Sequence, residues 1–166
     1  MTDLSIIIVS YNTKELTLKC LGSLRSLKLE AEIIVVDNGS TDGTIGEIGE
    51  IGGIRVIENK ENLGFAKANN VGIKQASGKY VLLLNSDTVV FPETLASMIQ
   101  FMETNSKVGV ATCRVELGDG TLDPACHRGF PTPWASLTYF LGLEKLFFKS
   151  KLFGQYHMGY MKMDEH

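Results

Sequence analysis

Lys79-Tyr80-Val81-Leu82-Leu83-Leu84-Asn85-Ser86-Asp87-Thr88 is the stretch whose reading decides the fold of this chain. Residues 80–84 are an unbroken apolar run that stops at three polar residues, the pattern of a strand buried on both faces of a parallel sheet. Ligands of open α/β sheets gather outside the carboxyl ends of the strands, so Asn85, Ser86 and Asp87 are expected at the rim of a crevice. A carboxylate held there by a strand supplies oxygen to Mg2+ or Mn2+, and such an ion neutralises a diphosphate. The same residue types favour turns, so the tripeptide alone leaves an ordinary turn toward Pro92 open.

Working outward, the pattern repeats. Residues 4–9 form an Ile-rich run that ends at Ser10-Tyr11-Asn12, and residues 33–36 form another that ends at Asp37-Asn38-Gly39-Ser40-Thr41-Asp42-Gly43. Between them Thr13 is positioned to N-cap a helix of about four turns, with Leu16, Cys20, Leu21, Leu24 and Leu27 on one face. Residues 45–53 repeat Ile-Gly-Glu, and their glycines predict a frayed helix. A short strand at 54–57 and a polar connection lead to a helix over 65–76, carrying Ala66, Ala68, Val71 and Ile73 and closed by Gly78. After the quoted stretch, Pro92 and Glu93 open a helix with Leu95, Met98, Ile99 and Met102 inward, and residues 108–112 predict a fifth strand. Strands alternating with helices define an α/β, doubly wound, mostly parallel sheet flanked by helices.

Beyond Cys113 the pattern changes. Val115-Glu116-Leu117 and Thr121-Leu122 flank Gly118-Asp119-Gly120 as a hairpin. Residues 134–163 are aromatic and lysine-bearing and have no place assigned on the sheet. With no Pro-, Ser- or Gly-rich linker before them, the chain reads as one domain: a ligand-binding part over 1–133 and a C-terminal segment over 134–166.

Composition narrows the function. The formal net charge of -3, with no basic cluster before the C-terminal part, argues against nucleic acid. Three cysteines without C-x-x-C spacing suggest neither a disulfide framework nor a zinc site, and point to a reducing cytosol. There is no basic-then-apolar leader and no apolar stretch near the ~18 residues that span a bilayer, so a soluble, cytoplasmic protein is expected. The first strand is followed by Ser10-Tyr11-Asn12-Thr13 rather than G-x-G-x-x-G, which argues against hydride transfer. Gly72 and Gly78-Lys79-Tyr80 miss the phosphate-loop spacing and lack its hydroxyl. What remains is three polar strand ends on one rim. Tyr11 can stack on a base, Asp37 can accept from a pyrimidine N–H, and Asp87 can hold a metal and diphosphate, which together describe a nucleoside-diphosphate site.

Four ordered motifs carry a family resemblance over roughly the first two thirds of the chain: Ser5-Ile-Ile-Ile-Val-Ser-Tyr-Asn12, Val35-Val-Asp-Asn-Gly-Ser-Thr-Asp-Gly-Thr44, Asn62-Leu-Gly-Phe-Ala-Lys-Ala-Asn-Asn-Val-Gly72 and Leu84-Asn-Ser-Asp-Thr88. They closely resemble the family 2 glycosyltransferases of the GT-A fold. The resemblance implies transfer of a sugar from a UDP-, dTDP- or GDP-sugar to a saccharide or lipid-linked acceptor, in polysaccharide or cell-envelope synthesis, with an inverting outcome. It implies a nucleotide site of Ser10, Tyr11, Asn12, Asp37, Ser40, Asn62, Gly64, Lys67 and Ser86, and places Asp87 at the last acid of the family's D-x-D metal motif. Asn85 stands where the first acid is usual; its amide oxygen also coordinates a hard cation, with less charge, so weaker metal binding is expected. Asn-Ser-Asp with Cys113-Arg114 and the Asp119-Gly120 hairpin looks most like rhamnosyltransferase-type members.

No carboxylate matches the family's acceptor-side base, so no catalytic residue is assigned. The chain is expected to be the donor-binding half of a longer enzyme, with Asp164-Glu165 a disordered end. The rival is a catalytically silent nucleotide- or partner-binding module. A nucleotidyltransferase would need a glycine-rich basic loop after the first strand.

Residue by residue, plainer readings stand beside these. Tyr11 could pack at a strand end, residues 37–42 could be an ordinary capping turn, and Lys67 could be a solvated helix residue. His127 and Arg128 could meet a diphosphate or acceptor or simply be exposed. Cys20 reads as core. The segment 134–163 has three readings: cover for a further part of the domain, a homodimer contact, or a peripheral contact at the inner face of the membrane.

Overall fold

The computed structural model describes residues 3–27, 30–126 and 128–161. The expectations placed on His127, Lys162, Met163 and Asp164-Glu165 lie outside the described residues. The chain divides into two compact units, residues 1–108 and 109–166.

In the first unit the elements run β1 (Leu4–Ser10), α1 (Lys14–Arg25), β2 (Ala31–Asp37), α2 (Thr44–Gly49), β3 (Ile54–Glu58), α3 (Phe65–Ile73), β4 (Tyr80–Asn85) and α4 (Thr94–Thr104). All three strand pairings are parallel, in the order β3-β2-β1-β4. The doubly wound α/β sheet expected from the sequence is therefore present, and its order reverses between β1 and β4, where such sheets bind ligands.

Each face of the sheet has its own core. On one, Ile6, Ile8 and Val35 pack with Cys20, Leu21 and Leu24 of α1, Ile48 of α2 and Leu95 of α4. On the other, Ile7, Ile34 and Val36 pack against Ala68 of α3. Burying each such aliphatic side chain contributes about 1.5–3 kcal/mol. Contact with α3 is close enough to demand glycine: a Cβ on Gly72 would lie 2.6 Å from Ile7 Cγ2.

Several expectations are corrected. β4 is not buried on both faces: Val81 is 43% and Leu83 48% exposed, because α3 seats on β1 and β2 and leaves this edge strand uncovered. Residues 108–112 form no strand; Gly109 interrupts the run, Val110 is exposed, and a strand persists only where a ladder partner takes its N–H and C=O groups. Gly78 does not cap a helix, since α3 ends at Ile73. Instead Gly78 lets the chain pass β1, where a Cβ would stand 2.6 Å from Ser5 N. Leu16 is exposed rather than core, and Thr13 makes no side-chain cap to α1.

The second unit is built from turns and short helices. Glu116 and Leu122 form the antiparallel bridge expected of the hairpin. α5 (Pro133–Phe140) is N-capped by Thr132, whose Oγ1 accepts from Ala135 N at 3.1 Å, and α6 (Leu143–Leu146) follows. The buried Glu144 accepts from His157 N at 2.8 Å and pairs with His157 Nδ1 at 3.1 Å, while Tyr139 and Tyr156 stack at 4.4 Å. Among the described residues no helix is long and apolar enough to cross a membrane.

Candidate functional site

An open crevice of about 340 Å3 lies at the carboxyl ends of β1, β2 and β4. Its wall includes Tyr11 and Thr13 after β1, Asn38 after β2, Asn62 and Phe65 at the start of α3, and Asn85, Ser86 and Asp87 at the end of β4. The sequence-predicted residues Tyr11, Asn62, Asn85, Ser86 and Asp87 therefore share one cavity. Asp87 and Asn85 are exposed, and the carboxylate oxygens of one and the amide oxygen of the other suit a hard cation.

The other predicted residues hold the loops that form this wall. Ser40 Oγ accepts from Asn12 N at 2.9 Å, and Asn12 Oδ1 accepts from Thr41 N at 2.8 Å, so the loops after β1 and β2 lock each other. Asn12 takes a left-handed φ of 52° to do so, which asparagine tolerates better than most residues. Asp37 is fully buried; its Oδ2 accepts from Gly39 N at 3.1 Å and Ser40 N at 2.8 Å, while Oδ1 has no hydrogen-bond partner. A buried carboxylate oxygen without a donor is uncommon and calls for one. Gly39, at φ 85°, lies so near Glu61 that a Cβ would be 3.2 Å from its backbone.

Two networks go beyond the sequence analysis. The first joins amides: Asn38 Nδ2 donates to Asn62 Oδ1 at 2.8 Å, Asn62 Oδ1 also accepts from Gly64 N at 2.8 Å, and Asn38 Oδ1 accepts from Asn59 Nδ2 and Leu63 N. Asn62 and Gly64 thus form one turn anchored on β2. The second joins hydroxyls: Thr13 Oγ1 lies 3.2 Å from Ser10 Oγ, Thr17 Oγ1 and Ser86 Oγ, and Ser10 Oγ lies 3.0 Å from the buried Thr17 Oγ1. This explains why Thr13 does not cap α1. Its hydroxyl is spent tying β1 to the turn after β4, and Asp42 caps instead, accepting from Lys14 N at 3.0 Å and Thr44 N at 3.1 Å. The Thr44 hydroxyl, with these backbone donors, holds the Asp42 carboxyl below its usual range. The sequence signal for the hydroxyl network was Ser10, Thr13 and Thr17, spaced to meet at a helix start.

Lys67 is exposed and outside the crevice wall, whereas Phe65 from the same turn is in it. Cys20 is buried beneath the site, its Sγ 3.7 Å from Asn85 O; burial, with the Asp87 charge adding, pushes its thiol up to about 11. It is an inert core residue, as expected. Among the described residues no group of three or more His, Cys, Asp or Glu is placed to hold a metal. A cation here would take one carboxylate, one amide oxygen, and the rest of its oxygens from ligand and water. That is the way Mg2+ is commonly bound together with phosphates, so the donor set fits.

This sheet, with its crevice at the switch between β1 and β4, is the GT-A glycosyltransferase fold. It matches the crystal structure of Staphylococcus aureus TarS 1–349 with a TM-score of 0.59 and 30% identity, over 63% of this chain and 33% of that one. It also matches the mannosyltransferase PcManGT from Pyrobaculum calidifontis, solved in complex with GDP-Man and Mn2+, with a TM-score of 0.59 at 23% identity, a likeness of fold. The family model described as glycosyl transferase family 2 matches residues 5–164, and the chain belongs to that family. Among relatives, the poly-beta-1,6-N-acetyl-D-glucosamine synthase of Staphylococcus epidermidis is 35% identical over 113 residues, 66% of this chain. An uncharacterized glycosyltransferase of Rickettsia felis is 33% identical over 133 residues, 78% of this chain. The chain spans 27% of the first and 22% of the second.

Proposed function

We propose that the crevice binds a nucleoside-diphosphate sugar and that the chain is the donor-binding part of an inverting glycosyltransferase. The sugar transferred is a hexose or rhamnose and the acceptor a saccharide or lipid-linked saccharide, in cytoplasmic steps of polysaccharide or cell-envelope synthesis. The observation that carries this is the gathering of Tyr11, Asn62, Asn85, Ser86 and Asp87, from the ends of β1 and β4 and the turn before α3, into one crevice. The base stacks on Tyr11, and a base N–H donates to Asp37 Oδ1, the acceptor left without a partner. Ser10, Asn12 and Ser40 hold the loops around base and ribose. Asn62 and Gly64 shape the turn that meets the diphosphate, and Lys67 adds positive charge at the start of α3.

Asp87 and Asn85 would hold Mg2+ or Mn2+, which when bound neutralises charge that builds on the leaving diphosphate. Ser86, hydrogen-bonded to Thr13, keeps the two ligands in register. Calorimetric titration with UDP, dTDP and GDP, with and without Mn2+, tests the reading. One nucleotide should bind with metal assistance, at least tenfold more weakly in Asp37→Ala and Asp87→Ala; a hydrogen bond to a charged group is worth about 1.5–3 kcal/mol. Binding equal in both variants and wild type would remove these residues from the site. Binding without sugar transfer to any acceptor would favour the silent-module reading.

A further inference from the structure

We infer that the second unit carries a docking surface for an anionic lipid bilayer, centred on Leu146 and Phe147, with Lys145, Lys149 and Lys151 next to them in sequence. Residues 145–149 are Lys-Leu-Phe-Phe-Lys, and all five are exposed, Leu146 to 75%. Phe147 belongs to an aromatic cluster: it packs on Phe153 at 5.3 Å, Phe153 on Trp134 at 6.1 Å, and Trp134 Nε1 donates to Leu152 O at 2.8 Å. Leu152, beside Lys151, is itself half exposed. Large apolar side chains left in water in such a group mark an interaction surface.

Charge selects the occupant. The chain as a whole is acidic, at -3, and residues 109–166 hold six basic and six acidic residues, but the basic ones are clustered: Lys145, Lys149 and Lys151 fall within seven positions, where Glu144 is the nearest carboxylate in sequence. Glu144 is buried and bonded to His157, so it presents no charge to a partner. An isologous dimer through this patch would set the same three lysines against their copies, which opposes a second copy as the occupant. A bilayer surface meets both halves of the pattern. Phe147, Leu146 and Trp134 settle at headgroup depth while the lysines meet lipid phosphates, and no spanning helix is needed. The inference does not depend on the nucleotide reading of the first unit.

The 166-residue chain would be co-sedimented with phosphatidylcholine vesicles and with vesicles that also contain phosphatidylglycerol. Trp134 is the only tryptophan, so its emission reports this surface alone. The expected result is binding to the anionic vesicles only, reversed by salt, with a blue shift of Trp134. Neutralising the three lysines to Gln should lower the partition on the order of 100-fold, since each basic residue near the surface contributes about 1 kcal/mol. The Leu146→Ser/Phe147→Ser pair should abolish the blue shift. The lysine variants alter only exposed groups, and an unchanged thermal midpoint confirms that they fold. Equal binding to both vesicle types, or binding to neither, overturns the inference. So does lysine-independent binding, a Trp134 emission that ignores vesicles, or a concentration-dependent dimer that covers Trp134 in their place.

Discussion

Ile34 and Phe140 are both large apolar side chains, and the two units treat them oppositely. Ile34 lies at the centre of a parallel sheet with no exposed surface, held between β1, β3 and α3. Phe140 ends α5 and is 82% exposed, with the Tyr139 ring against it at 5.6 Å. The first unit is held by apolar layers on both faces of a sheet. The second is held by caps, turns, the hydrogen bonds of a buried carboxylate, Glu144, with His157, and ring contacts. A sheet shares its burial among many neighbours, so each residue there is costly to lose, whereas a turn-rich unit concentrates its cost in a few bonded groups.

The sharpest way to break this comparison is Ile34→Ala, which should destabilise the first unit by about 2–5 kcal/mol in urea unfolding followed by far-ultraviolet circular dichroism. Glu144→Leu comes next. It removes the buried carboxylate that accepts from His157 N and pairs with His157 Nδ1 and should cost roughly 1–3 kcal/mol, read from Trp134 fluorescence on unfolding.

Glu32→Gln is smaller and sharpens the contrast within the first unit, at the sheet end opposite the crevice. Glu32 Oε2 accepts from Ser5 Oγ at 2.6 Å and from Ser77 N and Oγ at 3.0 Å, and Oε1 meets Arg55 at 3.3 Å. These bonds, the Ser5 hydroxyl first, hold its carboxyl below the ordinary 4.5. A folded-state pKa depressed in this way gives stability that is fully present above the unfolded value and is lost as pH falls through the folded one. The variant should therefore lose roughly 1–2 kcal/mol at neutral pH. The gap between wild-type and variant melting temperatures should close progressively below pH 4.5. Phe140→Ala should move stability by less than about 0.5 kcal/mol; a larger loss would mean that the second unit has an apolar core after all.

The order of strands and helices in residues 4–104 was legible because each buried strand is a continuous apolar run ending in polar residues, and each helix carries its own period. The crevice was legible for the same reason: three runs stop at Ser10-Tyr11-Asn12, Asp37-Asn38 and Asn85-Ser86-Asp87. The limits of that reading show in β4. Its apolar run looked doubly buried, but burial depends on what lies over the strand, and α3 covers β1 and β2 instead. At 108–112 the apolar run predicts a strand, but among the described residues no strand pairs with it. The second unit was least legible, since its order comes from specific contacts such as Glu144 with His157 that leave no periodic trace.

The sequence by itself determined the sheet, the rim and the family, all of which are written in local patterns of apolar runs, polar ends and ordered motifs. Only the tertiary structure decided which groups meet across distance. Thr13 reaches Ser86 across 73 positions, Asn12 exchanges hydrogen bonds with the loop of Ser40 and Thr41, and Asn38 anchors the turn of Asn62 and Gly64. It also decided that Gly72 and Gly78 are spacers against β1 rather than flexible or terminating residues. Hydrogen-bond partners and close approaches are fixed by where packed elements bring the chain together, and periodicity along one element carries no record of its neighbours.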